Sequence, residues 1–389
     1  MNDNPINIFM VSFDWDDLAN KKPENIIAKL NRDKLYPEKN KFLILSWGPG
    51  RYEKNISPNI RVVRRSARLR FFRPLYDFLT FFIAPQVIRE SGIIPDVLFV
   101  YDFPFALALA RAKRIFKTPL ILCLTNQPRQ YINSRQSLRL PKLWYQMLVE
   151  RLATKYITLV YTTSQSLRRY ALERGIPKEN VMVYIMDTIT PDKQIAIGAQ
   201  GGFLRKQFPI PEKHKILFSA ARLEGEKGLE RLIEAFAMLS RKDLSLVIAG
   251  KGPSLQALLE LSKALGVGGR VFFPGHISRP DLWNAYKDAD VFILLSTAEA
   301  LGLVFLEAMY AELPVIGSRA DGIVESIGAG EERGFLWEPE DGIQALEERL
   351  DQCFSGQAKG RVLKAKAHVE RELDNKTDIA TAYHLCQSR

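Results

Sequence analysis

The sequence has few cysteines and histidines, and both shortages narrow the chemistry that it can carry. Its three cysteines, Cys123, Cys353 and Cys386, lie far apart, without the close pairs that disulfide frameworks and structural zinc sites use. This spacing is typical of a protein in a reducing compartment. All four histidines lie at or beyond His214, so the first half offers no histidine as a general base or metal ligand.

Long uninterrupted apolar runs are also missing. A membrane-spanning helix needs about 20 consecutive apolar residues, and the nearest candidate, residues 71–88, is interrupted by two charged residues and two prolines. The first residues, MNDNPINIFMV, lack the basic start and apolar core of a secretory signal. We therefore expect a cytoplasmic protein without a transmembrane helix.

Negative charge is scarce in the first half of the chain. Residues 1–190 hold 30 Lys and Arg against 16 Asp and Glu, a net charge of +14, whereas residues 191–389 hold 25 against 28, a net charge of −3. From Arg61 to Arg73, six arginines without an acid lead into the aromatic stretch FFRPLYDFLTFF. Such residues suit an anionic membrane surface or a lipid phosphate, although a core helix beside solvated arginines would look the same. We favour the membrane surface and expect no nucleic-acid partner, because no nucleic-acid-binding module is recognisable.

Strand-like and helix-like segments alternate along both halves of the chain. Continuous apolar segments such as DVLFVYD (96–102) and DVFILLS (290–296) are separated by segments with helical periodicity, which indicates parallel sheets covered on both faces. Between residues 187 and 213 this alternation gives way to Gly, Pro and polar residues, as in an inter-domain linker. The sequence therefore predicts an α/β protein with two Rossmann-like domains, residues 1–190 and residues 205–369.

A candidate anion site follows the predicted strand 215–221. Arg222 and Lys227 lie beyond the carboxyl end of this strand, and a glycine lies near the start of the next helix. Two cations beside a helix N-terminus suit a diphosphate group. In the alternative interpretation the loop is solvated, and its cations pair with Glu224 and Glu226.

A second candidate site is the stretch EALGLVFLEAM, residues 299–309. Glu299 falls in the loop after strand 290–296, and Gly302 is placed to begin the next helix. Glu307 is the only charge in the apolar segment GLVFLEAMYA, and a buried carboxylate needs hydrogen-bond donors. Sugar hydroxyl groups could supply them. Alternatively, Glu307 faces solvent or pairs with a nearby arginine.

Together, these two motifs resemble the family-four retaining glycosyltransferases of the GT-B fold (glycosyl transferases group 1). The family pattern is R-x(4)-K-G followed by S-x-x-E-G-x-G-L-x-x-x-E-A-M-A-x-G-x-P-V-I. This chain has RLEGEKG and, about seventy residues later, STAEALGLVFLEAMYAELPVIGS. The resemblance covers residues 215–340, and over residues 1–190 it rests on topology alone. It implies two Rossmann-like domains facing across a cleft, with the C-terminal helix, about 370–389, packing back on the first domain.

The resemblance also implies roles for the charged residues that match the pattern. Arg222 and Lys227 would bind the donor diphosphate and stabilise the leaving nucleotide. Glu299 would contact the hydroxyl groups of the donor sugar. Glu307 would accept hydrogen bonds from the nucleotide ribose.

Backbone and loop positions would complete the donor site. The backbone at Leu301, Gly302 and Leu303 would approach the sugar and phosphate at the helix N-terminus. The loop GHIS would touch the base, which makes His276 and Ile277 candidates. For His276, an ordinary loop histidine is an equally good interpretation.

The activity implied is the transfer of a sugar, with retention of configuration, from a UDP or GDP donor to a lipid-linked or glycan acceptor. Such a reaction would serve cell-envelope polysaccharide or glycolipid synthesis at the inner face of the plasma membrane. The implied mechanism uses no metal and no cofactor besides the donor substrate. The D-x-D motifs at Asp14-Trp15-Asp16 and Asp288-Ala289-Asp290 are therefore not interpreted as a metal site, and the second is expected to be a helix–strand junction.

The first half departs from the family pattern on the acceptor side. The family often has a His-Asp pair after the strand that matches residues 119–125, where this chain has Thr125-Asn126-Gln127. Asn126 is the candidate for a positioning role there. The missing histidine raises one alternative, a non-catalytic nucleotide-sugar-binding partner of a glycan-assembly complex. A second alternative is a nucleotide-sugar epimerase of the same fold, which would need base residues that the first half does not show.

Overall fold

The computed structural model describes residues 5–12, 30, 35, 38–48, 50–66, 73–125, 139–184, 193–374 and 378–387. The predictions made for Asp14-Trp15-Asp16, Arg68, Arg70 and Asn126 lie outside these described residues. The chain divides into two compact units, one formed by Met1–Asp187 with Lys376–Arg389 and the other by Thr188–Asn375.

The secondary structure alternates between strands and helices, as expected from the sequence. The strands are β1 (Asn7–Ser12), β2 (Lys41–Gly48), β3 (Tyr52–Ser57), β4 (Ile60–Ser66), β5 (Val97–Val100), β6 (Leu120–Leu124), β7 (Leu159–Thr162), β8 (Val181–Val183), β9 (Lys215–Ala220), β10 (Leu244–Ala249), β11 (Val271–Gly275), β12 (Val291–Leu294), β13 (Val315–Gly317) and β14 (Phe335–Leu336). The helices are α1 (Arg73–Ser91), α2 (Phe103–Ala108), α3 (Ala110–Phe116), α4 (Arg139–Ala153), α5 (Gln165–Leu172), α6 (Lys193–Gly198), α7 (Phe203–Gln207), α8 (Leu229–Met238), α9 (Leu255–Ala264), α10 (Arg279–Asp288), α11 (Leu303–Tyr310), α12 (Asp321–Ile327), α13 (Ile343–Phe354), α14 (Lys359–Leu373) and α15 (Ile379–Gln387).

The first unit is built on one eight-stranded sheet in the order β3-β4-β2-β1-β5-β6-β7-β8. Its neighbouring strands are parallel, apart from the antiparallel hairpin of β3 and β4 at one edge. Every residue of β5, β6 and β7 is buried, as expected for parallel strands covered on both faces. Helix α15 joins this core through Ile379 and Ala382, which are fully buried.

The arginines that precede the aromatic stretch form part of this sheet, which changes their interpretation. Arg64 lies in β4, is 4% exposed and stacks over the Tyr52 ring at 5.3 Å. Arg61 pairs with Glu53, and the Arg65 guanidinium lies 3.4 Å from a Glu90 carboxylate oxygen. These three arginines therefore do not form the basic surface that the sequence suggested, because a strand holds them and acids face two of them.

The second unit is built on a six-stranded, fully parallel sheet in the order β11-β10-β9-β12-β13-β14. Its strand order reverses between β9 and β12, which is where open parallel sheets bind ligands. The interval predicted as a linker contains helices α6 and α7, and the Asp288 carboxylate accepts a hydrogen bond from the Leu204 N–H at 2.7 Å. That interval is therefore partly folded onto the second unit.

Two α/β units with parallel sheets confirm the predicted fold class. None of the described helices is both long and apolar enough to cross a bilayer.

Candidate functional site

The second unit brings its candidate residues together at the point where the strand order reverses. Strands β9 and β12 are parallel neighbours, with Leu217 opposite Val291 and Phe218 opposite Phe292. The loops that leave their carboxyl ends therefore lie side by side. This arrangement explains how residues far apart in the sequence can form one site.

Close backbone contacts fix the two loops against each other. The Thr297 N–H donates to the Glu226 carbonyl oxygen at 2.9 Å. Gly228 adopts a left-handed conformation with φ +59°, and a Cβ at this position would lie 1.9 Å from the Leu295 carbonyl oxygen. Only glycine fits such a position without displacing the backbone. The placement of Lys227 therefore depends on the glycine that follows it.

Lys227 and Glu299 are in direct contact. The Lys227 Nζ donates to Glu299 Oε2 at 2.8 Å, and the two side chains are 15% and 16% exposed. The Gly322 N–H donates to the Glu299 carbonyl oxygen at 3.1 Å, which holds the backbone of the acid in place. An ammonium group beside a carboxylate can bind a ligand that carries both phosphate and hydroxyl groups.

Arg222 does not join this pair. Its side chain is 54% exposed, and its guanidinium lies 2.7 Å from a Glu224 oxygen and 3.5 Å from a Glu226 oxygen. Burial and a hydrogen bond with Glu226 raise the pKa of the Glu224 carboxyl. The solvated-loop interpretation therefore holds for Arg222 but not for Lys227. Exposed ion pairs contribute about 0–1 kcal/mol, so Arg222 could exchange these acids for a phosphate at little cost.

The start of α11 lies beside Glu299. Gly302 precedes α11 with φ 72° and ψ 54°, and a Cβ there would lie 3.5 Å from Glu299 Cγ. Leu301 is buried, and its carbonyl oxygen accepts a hydrogen bond from Ser326 Oγ at 2.7 Å. The helix begins at Leu303, and the first-turn amides of a helix have no intrahelical acceptor. The sequence-predicted glycine thus starts the helix next to the Lys227–Glu299 pair.

Glu307 lies on the second turn of α11 and is only 4% exposed. Its Oε1 accepts a hydrogen bond from Arg279 Nη1 at 3.0 Å, and its Oε2 accepts one from the Tyr286 hydroxyl at 3.1 Å. Of the alternatives raised by the sequence, pairing with an arginine is therefore correct and exposure to solvent is wrong.

Helix α10 supplies both of these donors. Burial and the negative charge of Glu307 raise the pKa of Tyr286 well above its ordinary value, so the hydroxyl remains a donor. The Arg279 side chain is 40% exposed, and its guanidinium lies 5.8 Å from the centre of the Trp283 ring. One donor is thus fixed in the core and the other reaches the surface.

His276 and Ile277 lie in the loop between β11 and α10. His276 is exposed and Ile277 is half-buried. Ser278 caps α10, because its Oγ accepts a hydrogen bond from the Asp281 N–H at 3.2 Å. The predicted base loop therefore leads directly into the helix whose first residue, Arg279, reaches Glu307.

Three residues of this region were not predicted from the sequence. Arg231, on the first turn of α8, donates to the Leu295 carbonyl oxygen at 2.6 Å and to Glu338 Oε2 at 2.7 Å, so it supports the end of β12. Arg279 and Tyr286 lie 28 and 21 residues from Glu307. The only sequence signal was the buried carboxylate itself, which requires donors without naming them.

Acids elsewhere in the second unit have structural roles. The Asp290 carboxylate accepts hydrogen bonds from the Ile216 N–H and the Lys215 Nζ, both at 2.8 Å, and Asp288 holds the start of α7. The second D-x-D motif is therefore a helix–strand junction, as predicted. Within the described ranges, no group of three or more His, Cys, Asp and Glu residues is placed to hold a metal ion.

Comparisons with known proteins agree with this architecture. Residues 202–369 match the family described as glycosyl transferases group 1, and residues 49–184 match the family described as glycosyl transferase 4-like domain. The chain is 30% identical to an uncharacterized glycosyltransferase of Methanocaldococcus jannaschii over 265 residues, 64% of this chain and 66% of that protein. It is 38% identical to alpha-monoglucosyldiacylglycerol synthase of Streptococcus pneumoniae over 115 residues, 29% of this chain and 26% of that protein. The chain thus matches at most about two thirds of the length of these relatives.

Solved structures show the same fold over nearly the whole chain. Sucrose-phosphate synthase from Thermosynechococcus elongatus superimposes with a TM-score of 0.74 at 20% identity, covering 98% of both chains. Anabaena HepE, crystallised in complex with UDP-glucose, superimposes with a TM-score of 0.67 at 18% identity, again covering 98% of both chains. These likenesses establish the GT-B fold.

Proposed function

Because the chain belongs to the glycosyl transferases group 1 family and has the GT-B fold, we propose that it moves a sugar from a nucleoside-diphosphate sugar to an acceptor with retention of configuration. The observation that carries this proposal is the Lys227–Glu299 contact of 2.8 Å at the point where the strand order reverses. This contact places a cation that can bind the diphosphate beside an acid that can bind the sugar hydroxyl groups. Both lie next to the start of α11.

Each residue of the site has a proposed role. Lys227 binds the diphosphate, because its ammonium carries three donors and can keep Glu299 while donating to phosphate oxygens. Glu299 accepts hydrogen bonds from the donor sugar, and the backbone at Leu301, Gly302 and Leu303 lies against the phosphate and the sugar. Arg222 adds a second cation to the site when its guanidinium leaves Glu224 and Glu226 and binds a phosphate group.

The nucleoside end of the donor would lie at α10 and α11. Glu307, on the second turn of α11, would accept hydrogen bonds from the ribose hydroxyl groups, as the family resemblance implies. His276 and Ile277, in the loop before α10, are proposed to contact the base. The HepE complex with UDP-glucose supports UDP as the first donor nucleotide to test.

The proposed mechanism relies on positioning and on charge rather than on protein acid–base groups. Lys227 and the amides at the start of α11 would stabilise negative charge as it develops on the departing diphosphate. Holding the acceptor hydroxyl near the anomeric carbon would supply the remaining rate enhancement. The proposal includes neither a metal ion nor a cofactor.

The proposed acceptor is a lipid-linked or glycan molecule of cell-envelope polysaccharide or glycolipid synthesis, and the proposed place is the cytoplasmic face of the plasma membrane. The excess of cations over acids in residues 1–190 supports an anionic partner for the first unit. The relative in Streptococcus pneumoniae, whose name specifies a diacylglycerol product, supports a lipid acceptor.

A donor panel tests the first half of the proposal. UDP-sugars and GDP-sugars are added to the protein and the shift in Tm is measured. We expect a UDP-sugar to raise the Tm of the natural protein and of Lys364→Ala, an exposed lysine of α14, but not of Lys227→Ala. Equal donor-induced shifts in Tm for both variants would show that Lys227 does not bind the donor.

A transfer assay tests the second half. The donor that binds is supplied with extracted membrane lipids, and the labelled product is separated and its anomeric configuration determined. Transfer with retention is expected. Donor binding without transfer to any acceptor would instead favour the non-catalytic partner, and an epimerised donor in the absence of acceptor would favour the epimerase.

A further inference from the structure

Side-chain contacts connect helices α1, α3 and α4 at the surface of the first unit. The Tyr145 hydroxyl on α4 donates to an Asp77 carboxylate oxygen on α1 at 3.3 Å. The Arg111 guanidinium on α3 lies 5.4 Å from the centre of the Phe82 ring on α1. Arg114 on α3 lies 5.2 Å from the ring of Tyr156, just beyond the end of α4. Side chains of α1 therefore contact both α3 and α4, and α3 contacts a residue that follows α4.

The outward stripe of α1 is apolar where a surface helix is normally polar. Leu75, Phe78 and Phe82 are 38%, 61% and 47% exposed, and their spacing of three and four residues places them on one side of the helix. The Phe78 and Phe82 rings also contact each other, with centres 5.1 Å apart. Residues 71–88 thus include, besides buried positions, an exposed aromatic stripe.

Helix α4 exposes large apolar side chains and buries its one described acid. Trp144 and Leu148 are 71% and 57% exposed, whereas Glu150 is 2% exposed. Glu150 is held in the core by the Tyr170 hydroxyl at 2.7 Å and by Arg174 Nε at 2.8 Å. The exposed apolar side chains of α4 thus lie on a helix whose buried side is fixed by paired polar groups.

Charge is segregated around the same surface. The acids of the described parts of α1, α3 and α4 are Asp77 and Glu150, which are 7% and 2% exposed, and Glu90, which Gln86 and Arg65 contact at the end of α1. Among the side chains that the structure describes, the exposed cations on and beside these helices are Arg89, Arg111, Arg114, Lys117, Arg151 and Lys155. The acids are therefore buried or lie at the end of α1, while the exposed cations lie on the same helices as the exposed apolar side chains or just beyond them.

We propose that this surface docks onto an anionic lipid bilayer. The docking face consists of Leu75, Phe78, Phe82, Trp144, Met147, Leu148 and Leu152, together with the exposed cations on and beside the same helices. Exposed aromatic and aliphatic side chains insert into the headgroup region, and the exposed cations attract anionic lipid with little opposition from acids, since Asp77 and Glu150 are buried. The arrangement selects a bilayer over a second copy of the chain, because two such cationic faces would repel each other.

This inference deepens the proposed function, since a docking face places the first unit beside a lipid acceptor. It also relocates the membrane contact suggested by the sequence. The proposed membrane contact lies on α1, α3 and α4 and not on the arginines of β4, which are buried or paired.

Binding to vesicles tests the docking face. The natural protein is sedimented with phosphatidylcholine vesicles that contain or lack phosphatidylglycerol, beside the double variant Trp144→Gln/Leu148→Gln. The matched control, Met238→Gln/Leu363→Gln, removes two side chains of the second unit that are 66% and 55% exposed. We expect the first variant to bind phosphatidylglycerol vesicles about tenfold more weakly or worse, and the control to bind as the natural protein does.

The cations are tested separately with Arg151→Gln/Lys155→Gln. Each cation near an anionic surface contributes about fivefold in binding, so about 25-fold weaker binding is expected at low salt, shrinking as salt is added. Natural-strength vesicle binding by either double variant, or equal binding with and without phosphatidylglycerol, would overturn the proposal. So would a natural protein that is dimeric in light scattering while Trp144→Gln/Leu148→Gln is monomeric, because the face would then join two copies.

The outcome is distinguishable from failure of the proposed activity. Donor-induced shifts in Tm are measured for every variant without vesicles, and both double variants should keep the shift of the natural protein. Lost vesicle binding with an intact donor response supports the docking face whatever the acceptor proves to be. Absent donor binding with intact vesicle binding would overturn the proposed function alone.

Discussion

Lys227 Nζ lies 2.8 Å from Glu299 Oε2, although 72 residues separate them and each follows a different strand. The contact exists because β9 and β12 are neighbours at the reversal of strand order. It places a cation and an acid at the carboxyl edge of the sheet, where a ligand can reach both.

Lys227→Met and Glu299→Gln should each lower kcat/KM by about 100-fold or more, because each removes a charge that, in the proposed site, contacts the reacting part of the donor. Steady-state kinetics of both variants and of the double variant measure this loss. Since the two side chains share one site, the double variant should lose less than the product of the single effects. Strictly multiplicative losses would show that the two residues act independently.

Glu307→Ala should destabilise the protein by about 2 kcal/mol, because the buried Tyr286 hydroxyl and the Arg279 guanidinium lose their acceptor. Glu307→Gln keeps an oxygen for one of these donors and should fold more stably. Both variants should bind the donor more weakly. Urea unfolding and calorimetry separate the two effects, and a Glu307→Gln protein with full donor affinity would argue against the ribose role.

Gly228→Ala should destabilise the protein by about 3 kcal/mol or more. Its φ of +59° disfavours a side chain, and the new Cβ would lie 1.9 Å from the Leu295 carbonyl oxygen. Gly225→Ala is the matched control in the same loop, because no atom lies within 4 Å of its Cβ position. Thermal unfolding of both variants, followed by donor binding, gives the comparison. Similar Tm values would contradict the close backbone approach.

Glu312 adopts a left-handed conformation with φ 62° and pairs with Lys366 Nζ at 2.6 Å. Glu312→Gly and Glu312→Ala both remove this ion pair, but only glycine relieves the backbone. The glycine variant should therefore be more stable than the alanine variant by about 1 kcal/mol. Urea unfolding measures the difference, and Lys366→Met reports the ion pair alone. An alanine variant as stable as the glycine variant would be inconsistent with the left-handed backbone.

His368 should make the protein less stable in mild acid. Burial and the charges of Arg333 and Arg371 lower the pKa of His368 to about 4. Arg371 also donates a hydrogen bond to the His368 Nδ1 at 3.2 Å, which requires a neutral ring. The Glu372 carboxylate, 3.8 Å away, favours the charged ring, but less strongly than these groups oppose it. Below about pH 6.5 the unfolded chain takes up a proton that the folded chain does not. The free energy of unfolding should therefore fall between about pH 6.5 and pH 4, by about 2–3 kcal/mol. His368→Asn should flatten this part of the stability profile, and an unchanged profile would assign the acid sensitivity to other groups.

The sequence was sufficient for the parts of the protein that depend on local patterns. Apolar segments of strand length between helical segments predicted two parallel α/β domains, because a strand covered on both faces must be apolar throughout. Gly228 and Gly302 were recognisable because each begins a helix after a strand. The need of Glu307 for donors followed from its apolar neighbours alone.

Only the tertiary structure decided which side chains meet. Arg222 and Lys227 are equivalent in the motif, yet the loop turns Lys227 towards Glu299 and leaves Arg222 among exposed acids. Arg279 and Tyr286 reach Glu307 because α10 and α11 bring them together, and no local pattern encodes that contact. Likewise, the sequence showed that the first half is basic, but folding buried Arg64 in a strand and turned Trp144 outward. Local chemistry determines which elements form, whereas contacts between distant elements depend on how the elements pack.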